Sequence, residues 1–235
     1  MKQIQRTWKN ENIECFNSSG KEVGMSSLFD LKTVLMTPLI KWVIRHPTMM
    51  ESRVFLMAMR VFPEKISRSY DSKVKESGID YLLALSDGLA QISNNPQSIL
   101  DICTGTGLAA FRAAERFPIA SVVGVDQSRS MVHTAKRKIA DVDKGRIRFE
   151  VGNATKLTYN DEEFDLIITS NAPVYLSEAV RVLKSGGDIF IAFSFGGKAF
   201  ENASSEITRL LEQNGLSLVN LKSSGKGSFI LGQKK

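Results

Sequence analysis

The sequence predicts an α/β fold with a mostly parallel sheet, because short apolar runs alternate with helical patterns after about residue 78. Five of these runs resemble strands that are buried on both faces, and helical stretches lie between most of them. Two further strands flank a Ser-Ser-Gly-Lys-Gly turn near the C-terminus. Since a turn of this length cannot form a parallel crossover, the last strand should run antiparallel to its neighbour.

The elements of this domain follow in a regular order. The first is a helix from Gly78 to Ile92, with apolar residues at helical spacing and Pro96 shortly after its end. The strands are short runs rich in branched and aromatic residues, expected at Ser98–Ile102, Ser121–Val125, Arg146–Val151, Phe164–Thr169, Asp188–Phe193, Leu216–Lys222 and Ser228–Leu231. The other helices are expected at Leu108–Phe117, Arg129–Ile139, Leu176–Leu183 and about Phe200–Asn214.

Residues 1–77 are predicted to precede this domain, which spans residues 78–235, as a polar leader and a helical lid. Residues 1–25 contain few apolar side chains. One amphipathic helix should run from Ser27 to about His46, and a second should begin after Thr48, where Thr48-x-x-Glu51 fits a capping box, and end at Pro63.

Methionine and aromatic residues are concentrated in these two helices: Met36, Trp42, Met49, Met50, Phe55, Met57, Met59 and Phe62. One interpretation is an apolar face that packs on the following domain. Another is an adaptable apolar pocket or lid over a ligand, because methionine fits irregular surfaces. The two interpretations are compatible, and both are kept.

Composition excludes several classes of protein. Two cysteines without paired spacing and only two histidines argue against a disulfide framework and against a metal site. The formal charge of +6 is spread along the chain, so it permits an anionic partner without requiring one, and no stable nucleic-acid complex is expected. No signal peptide or transmembrane run is visible, and a cytoplasmic protein is expected, with peripheral lipid contact through residues 28–62 left open.

A glycine turn between the first strand and the next helix carries the clearest functional signal. Gly105 and Gly107 permit a tight turn and a close approach of a ligand to the backbone. About twenty residues later Asp126 ends the second strand, where a carboxylate can accept hydrogen bonds from ribose hydroxyls. Taken alone, this arrangement also fits a dinucleotide-binding fingerprint.

Three further features favour a different ligand. Asp101 lies at the end of the first strand, where its carboxylate would repel a pyrophosphate but would suit a cationic or amino-bearing ligand. Gly152-Asn153-Ala154 follows the third strand, where a polar side chain can reach an adenine edge. The run from Val182 to Asp188 forms a tight glycine turn into the fifth strand.

Four segments together resemble the successive motifs of class I S-adenosylmethionine-dependent methyltransferases: ILDICTGTGLAA, VVGVDQS, GNATKLTYNDEEFDLIITSN and RVLKSGGDIFIAFS. The likeness is greatest to the small-molecule group that includes the ubiquinone and menaquinone biosynthesis methyltransferases. It covers about residues 66–195 and leaves residues 1–60 outside. It implies an enzyme with a Rossmann-like seven-stranded sheet and S-adenosyl-L-methionine as its cofactor.

The resemblance also implies which residues bind the cofactor: Tyr70, Asp101, Thr104, Gly105, Gly107, Asp126, Gln127, Met131, Asn153, Ala154, Ser170 and Asn171. Asp126 would hold the ribose, Asn153 and Ala154 the adenine, and Asn171 would face the sulfonium. The sequence departs from the family pattern at Asn153, which replaces an aspartate, and at Ser185, which replaces a proline. The loop after Asn171 lacks the histidine-rich stretch of quinone methyltransferases, which counts against a quinone acceptor.

The expected reaction is a direct in-line transfer of the methyl group to a small, fairly apolar metabolite bound beneath the N-terminal helices. His46 and Tyr175 are the candidates for a general base, although His46 also suits a helix end. Residues 171–175 partly resemble an Asn-Pro-Pro-Tyr motif that binds planar nitrogens. An RNA or protein methyltransferase and a non-catalytic cofactor-binding scaffold remain the alternatives, and the oligomeric state is not predicted.

Overall fold

The computed structural model describes residues 37–46 and 80–235. Residues 37–45 are helical and form α1. The other helices are α2 (Asp80–Gln91), α3 (Leu108–Arg116), α4 (Arg129–Lys136), α5 (Leu176–Val182), α6 (Gly197–Glu201) and α7 (Ser204–Gln213). The strands are β1 (Ser98–Ile102), β2 (Ser121–Asp126), β3 (Ile147–Val151), β4 (Phe164–Ser170), β5 (Leu183–Phe193), β6 (Leu216–Ser224) and β7 (Gly227–Lys234). This alternation confirms the α/β class.

Seven strands form one sheet in the order β3-β2-β1-β4-β5-β7-β6. β1 pairs in parallel with both β2 and β4, and β3 and β5 extend the sheet in parallel on either side. β7 is antiparallel to β5 and to β6. The predicted mostly parallel sheet with an antiparallel C-terminal strand is therefore confirmed.

Helices cover both faces of the sheet. On one face α2, α3 and α4 pack through small and branched side chains such as Leu89, Ala113 and Val132. On the other face α1, α5, α6 and α7 pack through residues that include Ile40 and Leu211. Because the central strands are buried on both faces, their sequences are apolar without alternation.

The strand order places a ligand crevice at a defined edge of this sheet. β1 lies between β2 and β4, so the chain leaves β1 in one direction and later returns to its other side. At such a reversal, the loops after the carboxyl ends of the two strands separate and leave a crevice. The segments that follow Ile102 and Ser170 border this crevice.

One helix boundary differs from the sequence prediction. The helix expected at about Phe200–Asn214 is divided into α6 and α7, because Ala203 leaves the helical region with φ −101° and ψ 13°. The break allows the Phe200 ring to stack on Phe193, with ring centroids 4.7 Å apart and an interplanar angle of 9°. A tertiary aromatic contact thus interrupts a segment whose local pattern is helical throughout.

The fifth strand begins earlier than predicted, at Leu183 rather than at Asp188. The glycine turn becomes an irregularity within β5, where Gly186 has φ 75° and the pairing with β4 shifts register between Phe164 and Leu166. Because β5 pairs with β4 before and after this irregularity, the strand extends back to Leu183.

The N-terminal predictions are described only in part. Residues 37–45 are helical, in agreement with a helix that ends near His46. The start of that helix, the helix expected after Thr48, the domain boundary at residue 77 and Tyr70 lie outside the described residues.

Gly88 offers a test of how α2 packs on the sheet. A Cβ at Gly88 would lie 2.3 Å from Phe190 Cε2 and 2.8 Å from Phe229 Cγ, and both rings are fully buried. We expect Gly88→Ala to lower the free energy of unfolding by about 1–3 kcal/mol, because rigid rings must move. Gly145→Ala, where no atom lies within 4 Å, is the control and should be close to neutral. Equal urea denaturation midpoints for the two variants would contradict this packing.

Candidate active site

The turn after β1 is built on residues with positive φ. Cys103, Gly105 and Gly107 have φ values of 58°, 55° and 86°, and the Gly107 N–H donates to the Thr104 carbonyl oxygen at 2.9 Å. No atom lies within 4 Å of a Cβ placed on Gly105, whereas a Cβ on Gly107 would be 2.7 Å from Phe149 Cζ. Gly105 thus leaves room in front of the turn. Gly107 makes room for a core ring, so its cofactor contact stays a prediction.

The Asp126 side chain, at the end of β2, links the turn after β1 to the turn that precedes α4. Its Oδ2 accepts the Gly105 N–H at 2.8 Å, and its Oδ1 accepts the Ser128 N–H at 2.8 Å. Ser128 in turn caps α4, because its Oγ accepts the Met131 N–H at 3.3 Å. Gln127, which follows Asp126 directly, is half-buried, and Met131, five residues after Asp126, is buried. The structure thereby brings Asp126, the residue predicted to bind the ribose, next to Gly105.

Asp101 is fully buried beneath the turn. Its Oδ2 accepts hydrogen bonds from Thr104 Oγ1 at 2.5 Å and from the Ala110 N–H at 3.1 Å. Its Oδ1 has no hydrogen-bond partner among the described residues. Burial raises the pKa of Asp101 to about 7, against the lowering effect of the two hydrogen bonds. The carboxylate therefore both braces the turn and leaves one oxygen for a further donor.

Cys103 is not an activated nucleophile. Burial raises the pKa of its thiol well above the usual range, and the carboxylates of Asp126 and Asp101 raise it further. A reactive cysteine needs the opposite shift, toward the thiolate. The thiol therefore acts as a small packing group, as its position at a strand end predicts.

The side chain of Asn153 is hydrogen-bonded within the turn that follows β3. It is exposed, and its Oδ1 accepts hydrogen bonds from the Thr155 N–H at 3.0 Å and from Thr155 Oγ1 at 2.9 Å. The contact of Asn153 with adenine therefore stays a prediction. Ala154 beside it is buried against the apolar core.

Asn171 ties the ends of two strands together. It has φ 53°, and its Oδ1 accepts the Ser194 N–H at 2.8 Å and Ser194 Oγ at 3.0 Å. Its own N–H donates to the Ala192 carbonyl oxygen at 2.9 Å. The oxygen that the planar-nitrogen motif would direct to an amine is thus occupied within the protein. Ser170, half-buried, ends β4 immediately before it.

An apolar cavity of about 410 Å³ opens beside the segment that follows Asn171. Its walls come from α1, residues 172–177, β5, β7 and the helices after β5. The lining residues are Leu39, Ile40, Val43, Ile44, Ala172, Pro173, Val174, Tyr175, Leu176, Ser177, Ile191, Phe193, Phe195, Phe200, Ile207, Leu210, Leu211, Asn214 and Ile230. The volume and the apolar walls are those of a small-molecule site.

The central segment of the chain matches a known family. Residues 99–187, which hold the glycine turn, Asp126 and Asn171, match the model of the methyltransferase domain. This segment is similar to a methyltransferase domain. The resemblance drawn from the sequence motifs is confirmed for it.

Named proteins are also similar to this chain. The chain is 39% identical over 100 residues to a demethylmenaquinone methyltransferase of Lactococcus lactis, which is 39% of this chain and 40% of that protein. It is 33% identical over 135 residues to the demethylmenaquinone methyltransferase of Deinococcus radiodurans, which is 54% of this chain and 56% of that protein. The chain therefore spans about half the length of the relatives that it matches.

Solved structures share the fold. One is an S-adenosylmethionine-dependent methyltransferase from Aquifex aeolicus, with a TM-score of 0.56, 19% identity and coverage of 70% of this chain and 98% of that one. Another, from Methanococcus maripaludis, was solved as a methyltransferase of the same kind, with a TM-score of 0.58, 22% identity and coverage of 73% and 93%. The predicted Rossmann-like class I fold is confirmed.

The structure separates the two candidate bases, Tyr175 and His46. Tyr175 is buried in the cavity wall at the start of α5. His46 is exposed, its Nδ1 lies 2.8 Å from the Trp42 carbonyl oxygen, and its ring packs on the Trp42 ring. It is absent from the described cavity wall. Its position supports the interpretation as a helix-end residue and not the catalytic one.

Sequence reasoning missed several residues that shape the site. Ser194 fixes Asn171, and Phe193, Phe195 and Phe200 form a contiguous aromatic cluster at the cavity. Leu210 on α7 lines the same cavity, and the sequence pattern of this helix does not indicate a ligand site. The only signal available was the density of phenylalanine between residues 190 and 200, which does not distinguish a cavity wall from a core.

The raised pKa of Asp101 predicts how stability depends on pH. Its pKa rises from 3.8 to about 7 on folding, so its contribution to stability is present below about pH 4 and is lost as the pH rises through 7. Asp101→Asn keeps an acceptor for Thr104 and Ala110 but cannot ionise. Between pH 5 and 8 we expect the variant to gain on the order of 2 kcal/mol relative to the wild type, measured by urea unfolding without ligand.

Asp141→Asn is the matched control for this measurement, because Asp141 is an exposed carboxylate. Its stability difference from the wild type should change little over the same pH range. Parallel pH profiles for Asp101→Asn and the wild type would show that the buried carboxylate is not ionising in this window.

Proposed function

We propose that this protein is an S-adenosylmethionine-dependent methyltransferase that transfers the methyl group to a small, fairly apolar acceptor by direct in-line displacement. One observation carries the proposal: the apolar cavity begins at Ala172, directly after the strand end that borders the glycine-turn crevice. A polar cofactor crevice and an apolar acceptor cavity thus meet at the carboxyl end of β4.

The residues around the turn fit the cofactor. Gly105 leaves space for a ligand close to the backbone. Carboxylates accept up to about four hydrogen bonds, so Asp126 can bind ribose hydroxyls in addition to its two backbone partners. Asp101 has a buried oxygen without a described partner. Two carboxylates at one turn favour a ligand with a sulfonium and an ammonium group over a pyrophosphate.

S-adenosylmethionine supplies, when bound, a methyl group that its sulfonium activates. The protein contributes alignment and the exclusion of water, which together can lower the barrier by several kcal/mol. The hydrogen bonds between Asn171 and Ser194 fix the strand ends where the two ligands would meet. The apolar walls of the cavity keep water away from an acceptor placed there.

The cavity wall also supports the acceptor class. Its few polar side chains are Tyr175, Ser177 and Asn214, and it holds no described histidine or carboxylate. Tyr175 is therefore the candidate base that remains at the site for an acceptor that must lose a proton. The relatives named demethylmenaquinone methyltransferases agree with a small apolar acceptor. Because they are matched over about half their length, we extend only the acceptor class from them.

The alternatives receive less support from the described residues. An RNA or protein methyltransferase predicts a positive face beside residues 170–175, but the described cavity wall contains no lysine or arginine. A non-catalytic scaffold predicts an acceptor site filled by side chains, whereas a cavity of about 410 Å³ is present. Within residues 37–46 and 80–235, no helix is long and apolar enough to cross a membrane.

Methyl-labelled S-adenosylmethionine tests the proposal. The protein is incubated with labelled cofactor and one of three acceptor pools: organic-soluble metabolites, RNA or protein. We expect label in the organic phase. Leu210→Trp, which fills the cavity, should reduce transfer at least tenfold and leave cofactor affinity unchanged.

Val219→Trp provides the control for this assay, because Val219 is 55% exposed on β6 and does not line the cavity. It should transfer label at the wild-type rate. Label that enters RNA or protein, or transfer that Leu210→Trp does not affect, would overturn the assignment of the cavity to the acceptor.

A further inference from the structure

We propose that Glu206 on α7 is a positioning residue that holds α1 closed over the apolar cavity and thereby controls entry into it. That the entering molecule is a methyl acceptor rests on the function proposed above. The control of entry rests only on contacts between described residues.

One carboxylate joins α1 to α7. Glu206 Oε1 lies 3.2 Å from Lys41 Nζ and 3.1 Å from Arg45 Nη2, and Ser205 Oγ donates to Oε2 at 2.9 Å. Lys41 and Arg45 are four residues apart, so they lie on the same side of α1. Both oxygens of Glu206 are thus engaged, and its side chain is only 11% exposed.

The cation pair lies beside the apolar face of α1. Ile40, Val43 and Ile44 line the cavity from this helix. Leu39, which also lines the cavity, is 57% exposed, and Trp42 is 47% exposed. Among the described residues, α1 therefore lies between this part of the cavity and solvent, and a movement of α1 would open the cavity.

The salt bridges described for α1 meet at one carboxylate. Within the described part of the chain, the salt bridges that join α1 to another element all end on Glu206. The hydrogen bond with Ser205 and the charge of Lys41 lower the pKa of Glu206 to about 2, so the carboxylate is charged over the physiological range. Partly exposed ion pairs are individually weak and are screened by salt. Ion pairs of this strength suit a helix that moves away from the cavity and returns to it.

Cysteine labelling measures the opening. Leu211 lines the cavity beneath α1 and is 2% exposed, so Leu211→Cys should react with N-ethylmaleimide only when α1 moves. The modified peptide is quantified by mass spectrometry, which separates residue 211 from the native cysteines. In this background, Glu206→Gln should accelerate labelling roughly 3- to 10-fold, the scale of one or two exposed ion pairs.

The matched control is Glu212→Gln, an exposed glutamate of the same helix, which should leave the labelling rate unchanged. Charge reversal supplies a rescue: Glu206→Lys should accelerate labelling, and adding Lys41→Glu with Arg45→Glu should restore slow labelling. Raising the salt concentration should accelerate labelling in the Leu211→Cys background but not in the Glu206→Gln variant.

Equal labelling rates with and without Glu206→Gln would overturn the proposal, and so would acceleration by Glu212→Gln to the same extent. Neither result bears on methyl transfer, because the assay contains no cofactor or acceptor. Conversely, faster labelling that the reversed charges restore would support the role of Glu206 even if no methyl transfer were detected.

Discussion

The hydrogen bonds accepted by Asp126 are the constraint on which the site depends. They join the turn after β1, through the Gly105 N–H, to the start of α4, through the Ser128 N–H. Parallel pairing of β1 with β2 brings the two strand ends together, so the carboxylate reaches both turns without a long side chain. The same bonds set the open space at Gly105, which permits a ligand there. A local arrangement of two turns thus defines the cofactor side of the molecule.

The proposed acceptor side depends on a second junction, between β4 and β5. Asn171 adopts a positive φ and bonds to Ser194, which directs residues 172–177 away from the sheet and over the apolar cavity. The cavity lies on the face covered by α1, α5 and α7, whereas the glycine turn leads into α3 on the opposite face. The two sites therefore approach each other only at the carboxyl ends of the strands, where a transfer reaction can take place.

The fold and the cofactor turn could be predicted because their signals are local. Gly105 and Asp126 follow strands whose apolar runs identify them, and strand order fixes their proximity. Contacts between distant residues could not be predicted. The Phe149 ring leaves no room for a Cβ at position 107, which accounts for the glycine there. The Asn171 side-chain oxygen, which the motif comparison assigns to a substrate, accepts a hydrogen bond from Ser194. His46 was considered as a base because a histidine near a lid invites that role, but only the structure shows it at a helix end.

Calorimetric titration with S-adenosylmethionine, S-adenosylhomocysteine and NAD tests most directly the claim that this turn holds a sulfonium nucleoside. We predict binding of both sulfur compounds with Kd values on the order of micromolar, no binding of NAD, and loss of binding in Asp126→Ala but not in Asp141→Ala. Tight binding of NAD without a response to the sulfur compounds would contradict the account, because a pyrophosphate would then be tolerated beside two carboxylates. Sulfur-nucleoside binding that survives Asp126→Ala would also contradict it, since the carboxylate would then not be the constraint that defines the site.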